Sequence, residues 1–304
     1  MKPVLFTLFN QSISSFGVFL ILALFAATFI IWRIVRVYEL DEEKTIDLLL
    51  LSVIGGLLFS RAYYVLTNLS LFDDFWKAIL FSKYPGLSFW GALLGGGLTM
   101  KYFSGRLKIH FWQAADFAAV GLFLGIAIAS LGCLLGGCQY GLISNSAFEV
   151  SLVGVVGKRF PLQVVESLIF FIGFLYLWSK VLKFHFNGQI ASIGLILLGG
   201  AKFILEFYRG DRQKIWGDVS SGFLFSILLI ILGIFSYYTQ GKKQFGRDLV
   251  FLLSLLVNRQ SQNFMVSKFK KSWYNFWVNL RVSSRKMSRT LFKMLRIKSN
   301  PGNF

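Results

Sequence analysis

Histidine, cysteine and acidic side chains are all scarce in this chain, and each shortage removes a class of chemistry. The two histidines, His110 and His185, are too few and too far apart for a site of three or four ligands. A histidine-based metalloenzyme is thereby excluded, and neither metal nor cofactor is expected. The two cysteines, Cys133 and Cys138, stand five positions apart at the end of one apolar run. On a continuous helix they point about 140° away from each other. A bond between them needs the helix to stop in that interval, so they are expected to be small packing residues. Acids number 14 against 32 Lys and Arg, for a net charge of +18. Before residue 240 there is also no soluble domain, no internal repeat and no low-complexity block. Alternating ten-residue segments of the membrane-barrel kind are absent, as are the paired interrupted segments of many transporters.

What fills the chain instead is long apolar runs. Mean hydropathy is +0.63, with 55% hydrophobic and 17% aromatic residues, which excludes a soluble protein. A bilayer core about 30 Å thick needs roughly 20 apolar residues per helix. Runs of that length occupy 14–34, 46–67, 87–105, 114–135, 162–182, 189–208 and 218–238. The expected fold is an all-α polytopic membrane protein of seven transmembrane helices. The first run is too long for a signal peptide and no small-residue cleavage site follows it, so it is expected to remain in the mature chain.

Orientation follows from the loop cations. Arg33, Arg36 and Lys44 follow the first run, Lys101, Arg106 and Lys108 the third, and Lys180 and Lys183 flank the loop after the fifth. The intervening loops carry less, which predicts the N-terminus outside and the C-terminus in the cytoplasm. Residues 1–239 then form the membrane domain and 240–304 a cytoplasmic tail. That tail holds 14 Lys and Arg and one acid, Asp248. Its Phe264, Phe269, Trp273, Phe276 and Trp277 interleave with Lys268, Lys270, Lys271 and Arg281, as in an interfacial amphipathic helix on anionic lipid. With no RNA-binding motif in it, no nucleic acid partner is expected. Nothing indicates an oligomer, so a monomer is expected.

Glycines cluster in the middle of the membrane part. Gly91 and Gly95 make a GxxxG pair, and Gly121, Gly125 and Ala129 continue a small-residue stripe toward Gly132 and Gly136. Such stripes let helix backbones approach closely in lipid, and the third and fourth helices are expected to be neighbours. The two longest outward loops, about 69–86 and 136–161, are apolar; Phe72, Phe75, Trp76, Phe81 and Tyr84 in the first suggest elements that rest in the interface.

Charges inside the runs carry the functional signal. Arg61, Asp116, Glu166, Lys202, Glu206 and Arg209 lie within or at the ends of four apolar runs. A charge at that depth costs at least about 2.5 kcal/mol and persists mainly facing a bundle interior. A shared, lipid-accessible central cavity is expected. Lys202, Glu206 and Arg209 stand at i, i+4 and i+7, within roughly 60° of arc on one helix face. Arg61 pairs with Tyr64 at i, i+3, and Gln163 with Glu166. Three cations against two carboxylates suggest a clamp for an anionic head group; the alternative is buried ion pairs stapling helices.

The order of these features over about residues 12–238 resembles the prolipoprotein diacylglyceryl transferase family. Ser15-Phe16-Gly17 is similar to its N-terminal aromatic-Gly element, and Asp47-Leu48-Leu49 through Arg61-Ala62-Tyr63-Tyr64-Val65-Leu66 to its second span. Ser88-Phe89-Trp90-Gly91 sits where the family has Ser-Phe-His-Gly-Gly. Ala115-Asp116 and the stretch from Ser130 through Cys133 to Gly141 match its signature region. Phe160-Pro161-Leu162-Gln163-Val164-Val165-Glu166 resembles His-Pro-x-Gln-Leu-Tyr-Glu. Lys202-Phe203-Ile204-Leu205-Glu206-Phe207-Tyr208-Arg209-Gly210-Asp211 resembles Arg-Phe-x-x-Glu-Phe-x-Arg-x-Asp.

The resemblance implies transfer of the diacylglyceryl group of phosphatidylglycerol to the lipobox cysteine thiol of a preprolipoprotein, with glycerol phosphate leaving. This is lipoprotein biosynthesis at the bacterial plasma (inner) membrane. It implies Lys202, Glu206 and Arg209 as catalytic residues. Arg61, Tyr64, Trp90, Ser130, Cys133, Gly141, Gln163 and Glu166 would bind substrate, with Gly141 allowing close backbone approach to the head group. The chain departs from the family at Trp90, where a histidine is expected, and at Ser130, where a phosphate-binding arginine is expected. Lys202 replaces an arginine and its bidentate fork, Phe16 a tyrosine, and Phe160 a second histidine. A missing general base typically slows such a step by about 10²-fold or more. Two functions are therefore weighed: a divergent active transferase, and a catalytically silent relative that binds phospholipid or lipoprotein signal peptides.

Overall fold

Each apolar run becomes a helix in the computed structural model, which describes residues 4–8, 11–69, 72, 86–144, 149–151, 155–212, 214–216, 219–242, 267, 270, 271, 273–275, 277 and 278. The helices are α1 (Ser15–Val37), α2 (Glu42–Thr67), α3 (Phe89–Arg106), α4 (Phe111–Gly136), α5 (Leu162–Val181), α6 (Gln189–Phe207) and α7 (Ser221–Gly241). Among the described residues six are long and apolar enough to cross a membrane, all but α3. The chain is a polytopic all-α membrane protein. Short antiparallel pairs decorate it: β1 (Val4–Leu8) with β2 (Gln11–Ser14), β3 (Val150–Ser151) with β4 (Lys158–Arg159), and β5 (Lys214–Trp216) with β6 (Val219–Ser220). Phe75, Trp76, Phe81 and Tyr84 of the 69–86 loop lie outside the described residues, as does most of the tail, including Phe264, Lys268, Phe269, Phe276 and Arg281.

Local sequence sets the helix ends. The Ser14 hydroxyl accepts from the Gly17 amide at 3.1 Å and starts α1; Asp41 accepts from Lys44 at 3.1 Å and starts α2. Each satisfies an amide that has no partner inside its own helix. The α4 helix stops at Gly137, which takes a left-handed φ of 79° while its amide bonds the Cys133 carbonyl at 2.9 Å, a glycine helix stop. This stop falls between the two cysteines, and Cys133 and Cys138 form a disulfide. Their expected role as separate packing residues is therefore corrected: Gly136-Gly137 supplies the break that the bond requires.

Packing is pairwise, with α2 along α3, α6 along α7, and α1 along α4; α4 also meets α5 and α6. Phe117, Val120 and Phe123 of α4 join Phe170, Leu177, Ile190 and Leu198 in the buried centre. Lipid is as apolar as these side chains, so association relies on close fit rather than on escape from water. Glycine provides that fit. A Cβ on Gly95 would come within 2.2 Å of Phe59 Cβ and 2.9 Å of the Gly55 carbonyl, and one on Gly121 within 2.6 Å of Ile31. The glycine faces of α3 and α4 thus receive α2 and α1 rather than each other, and α3 and α4 touch only slightly. The two helices are nevertheless neighbours, as expected, with Met100 and Phe103 packed against Ala114 and Ala118 rather than glycine against glycine.

Asp116 is likewise not part of a shared ionic centre. It accepts from the Gly188 and Ala191 amides, both at 2.7 Å, and lies 3.6 Å from His185. It therefore caps the start of α6 from the neighbouring helix, at the end of the bundle remote from the other buried charges. Nothing in α6 itself does so, because Gly188 has no side chain to offer.

Candidate functional site

The start of α5 and the end of α6 meet at one end of the bundle. On α5, Glu166 accepts from Lys202 Nζ of α6 at 2.5 Å, both side chains being buried. The ammonium also lies 4.5 Å from the centre of the Phe89 ring and 5.8 Å from that of Phe170, so a carboxylate and two aromatic rings surround it. One turn on, the Glu206 carboxylate accepts from the Ser220 hydroxyl at 2.6 Å and sits 3.6 Å from the Arg209 guanidinium. Gly222, in the first turn of α7, makes room for it: a Cβ there would lie 2.4 Å from Glu206 Cδ.

Arg209 does not continue the α6 face, because the helix ends at Phe207. Its backbone instead bridges Gly141, and the neighbouring amides join in: Leu142 donates to the Tyr208 carbonyl at 2.9 Å and Gly210 to the Tyr140 carbonyl at 2.8 Å. Its guanidinium turns to Asp211, donating from Nε at 2.6 Å. Burial works against the Arg209 charge, but Asp211, Glu206 and Glu166 outweigh it and hold its pKa above the ordinary arginine value. Arg209 is thus a fixed cation. Asp211 also changes the charge count, since Lys202 and Arg209 face Glu166, Glu206 and Asp211. Arg212 lies alongside, its Nε donating to the Arg209 carbonyl at 3.1 Å.

The remaining candidates divide. Gln163 is fully buried on α5; its Nε2 donates to the Cys138 carbonyl at 2.7 Å, which ties the disulfide turn to this end. Its Oε1 has no partner among the described residues, so it offers an acceptor inside the protein. Buried acceptors are seldom left unpaired. Gly141 is adjacent through Arg209, but the space over its Cα is already filled: a Cβ would meet the Phe160 carbonyl at 2.5 Å. The close approach that Gly141 permits in this structure is to the Phe160 backbone.

Trp90 stacks on Phe225 at 5.2 Å and 14°, next to Phe89, as a core residue. Ser130 donates to the Ile126 carbonyl of its own helix at 2.8 Å, and Cys133 is held in the disulfide. Arg61 donates to the Gly86 carbonyl at 3.1 Å and lies near the Tyr64 and Phe72 rings, at 5.9 and 5.1 Å. These contacts put Arg61 and Tyr64 beside the α2–α3 connection. At the centre, ion pairs join Lys202 to Glu166 and Arg209 to Glu206 and Asp211. Sequence reasoning missed the roles of Ser220 and Gly222, and of Asp211 as a counter-charge. The only signal for the first two was a small-residue run at the start of the last apolar segment.

Six helices long and apolar enough to cross a membrane among the described residues, with ion pairs buried at one end, define a multi-pass membrane protein that keeps an ionic centre inside its bundle. Comparison with known proteins is consistent with that class and narrows it. The chain belongs to the prolipoprotein diacylglyceryl transferase family, whose model matches residues 3–239. It is 26% identical over 248 residues to the phosphatidylglycerol–prolipoprotein diacylglyceryl transferase of Clostridium tetani, covering 78% of this chain and 97% of that protein. A second such transferase, numbered 2, from Clostridium perfringens is 28% identical over 264 residues, covering 81% and 99%. That of Listeria welshimeri is 27% identical over 244 residues, covering 77% and 88%.

Proposed function

We propose that this chain transfers the diacylglyceryl group of phosphatidylglycerol to the lipobox cysteine of a preprolipoprotein in the bacterial plasma membrane. The observation that carries this reading is the buried Glu166–Lys202 pair beside the Glu206–Arg209–Asp211 chain. In the reaction the thiol sulfur attacks the diacylglycerol carbon that bears the phosphate ester. A C–S bond forms, the C–O bond breaks, and the electron pair leaves on glycerol phosphate. Fixed cations placed where that charge develops lower the barrier, and Lys202 and Arg209 supply them. Both already hold carboxylates, so an entering phosphate exchanges with one of them. Glu166, released from Lys202, then takes the thiol proton that the family's histidine would take elsewhere. The unpaired Gln163 Oε1 accepts from a substrate hydroxyl, and Arg61 and Tyr64 contact the lipid at the bundle edge.

The same reading includes seven spans, a central cavity open to lipid, a membrane domain of 1–239 acting as a monomer, and a basic tail of 240–304 against anionic lipid. The N-terminus is outside. Two features support that orientation. A disulfide at the ionic end fits an end that faces oxidising surroundings. At the opposite end four cations lie over aromatic rings: Arg36 on Trp32, Arg106 on Tyr102, Lys101 on Phe111 and Lys180 on Tyr176, at 4.3 to 5.5 Å. An excess of Lys and Arg in the short loops at that end fits the cytoplasmic face.

The test uses purified protein, phosphatidylglycerol and a lipobox peptide, with mass gain on the peptide cysteine as readout. Transfer by the unaltered chain, reduced about 10²-fold or more in Arg209→Ala, is the expected result. One observation favours a silent, lipid-binding relative: the Trp90 ring is packed on Phe225 where the family's base is expected. A chain that binds phosphatidylglycerol yet adds no mass to the peptide would establish that second reading and end the first.

A further inference from the structure

We propose that the Cys133–Cys138 disulfide is a positioning element of the ionic centre: it holds the segment 140–142 that sets Arg209, so that transfer needs the bond intact. The inference rests on the transferase reading and adds to it a covalent requirement outside the reacting groups.

Arg209 is not placed by a helix, since α6 ends at Phe207. Its position comes from backbone pairing. Gly141 bridges Arg209, the Gly210 amide donates to the Tyr140 carbonyl at 2.8 Å, and the Leu142 amide donates to the Tyr208 carbonyl at 2.9 Å. On the other edge the Phe160 amide donates to the Leu142 carbonyl at 3.0 Å. The two segments meet without slack: a Cβ on Gly210 would come within 2.6 Å of the Gly141 carbonyl oxygen. A shift of 140–142 therefore moves the Arg209 backbone, and draws its guanidinium away from Glu206 and Asp211.

What fixes 140–142 lies just before it. Gly136 and Gly137 have no side chains to anchor the turn. Gln139 holds a left-handed φ of 50°, which a residue with a Cβ keeps only where its surroundings impose it. Two ties meet at Cys138. Its sulfur is bonded to the buried Cys133 in the last turn of α4, and its carbonyl accepts from Gln163 Nε2 of α5 at 2.7 Å. Both helices are thereby coupled to the segment that carries Arg209. The bond spans a sequence separation of only 5, and a disulfide adds less to overall stability the shorter the loop it closes. Its main consequence is local, in the geometry of the turn. Misplacing a positioned group by about 1 Å can cost about 10²-fold in rate, so a local change is enough.

The test uses the full chain in detergent with phosphatidylglycerol and a lipobox peptide, at a temperature below the unfolding midpoint of each form. Cys133→Ser/Cys138→Ser is compared with the unaltered chain, and the same pair is made together with Arg209→Ala. Loss of the bond is expected to lower kcat about 10²-fold while the unfolding midpoint moves only slightly. In the Arg209→Ala background the two serines should cost at least about tenfold less, because the group they would displace is already gone. A second route needs no substitution, and it decides the matter should the serine variant fail to fold. A phosphine kept present through purification takes oxygen from water, and its electron pair with the two protons of that water converts the disulfide to two thiols, counted by mass after alkylation of a sample. Transfer should be low in this form. It should return once glutathione disulfide has re-formed the bond, leaving two glutathione thiols, and has been removed. Equal transfer by the oxidised, reduced and serine forms would overturn the proposal and leave the transferase reading standing. An equal factor lost with and without Arg209, or a loss that re-oxidation does not reverse, would overturn it too. Absence of transfer by the oxidised chain would instead end the transferase reading, and the inference with it.

Discussion

The Glu206 carboxylate is fixed from three sides, by the Ser220 hydroxyl, the Arg209 guanidinium and the bare Cα of Gly222. The last is the simplest to perturb. In Gly222→Ala the new methyl group would stand 2.5 Å from both carboxylate oxygens, so the carboxylate must turn away and leave Ser220 and Arg209. Transfer activity and thermal stability should both fall, while Gly200→Ala, with nothing within 4 Å of the added methyl, should leave both intact. The Glu166–Lys202 pair calls for a different experiment. Removing one partner of a buried pair costs about 3–5 kcal/mol, whereas replacing both by apolar groups is often neutral or stabilising. Glu166→Leu should therefore lower the unfolding midpoint and Glu166→Leu/Lys202→Met should restore it, with activity absent from both. A double variant that is stable and fully active would reduce the pair to a helix staple and remove it from the proposed mechanism.

At the scale of elements, the glycines decide which helices meet. On Gly95→Ala the methyl group would collide with Phe59 and with the α2 backbone at Gly55, forcing α2 and α3 apart. Lower thermal stability in detergent is expected. Gly97→Ala, two positions along the same helix and facing open space, should be neutral or gain up to about 1 kcal/mol from the better helix former. Equal behaviour of the two variants would mean that α3 does not rely on its glycine face. Helix positions were legible in the sequence because a span must be long and apolar, and hydropathy reports both. Partner choice was not, since a small-residue stripe says that something approaches closely but not which helix does. Arg209 was misplaced for a related reason: spacing of i, i+4, i+7 puts three residues on one face only while the helix continues, and α6 stops at Phe207. Asp211 comes from a bend and Ser220 from the two-residue strand β6, where no period points to a partner. The disulfide could have been read from Gly136-Gly137, since a glycine pair is what ends a helix between two cysteines.

For the whole molecule, orientation is the property on which the proposed chemistry turns, because a lipobox cysteine is presented on the outer side. The two ends differ in kind: one has the disulfide and the Glu166–Lys202 centre, the other the Asp116 cap on α6 and the end of α7, where the basic tail begins. Each end also has an exposed apolar residue on a loop. Val156, between β3 and β4, is 88% exposed on the disulfide side, and Phe184, between α5 and α6, is fully exposed on the other. With both native cysteines bonded to each other, Val156→Cys and Phe184→Cys each give a single reactive thiol without background. On intact cells a membrane-impermeant maleimide should label Val156→Cys, and should label Phe184→Cys only after the membrane is permeabilised. The reverse pattern would turn the ionic centre toward the cytoplasm, where the secreted substrate does not present its cysteine. It would also leave the disulfide in reducing surroundings, so the transferase reading would fail together with the assignment of the basic end to the cytoplasmic face.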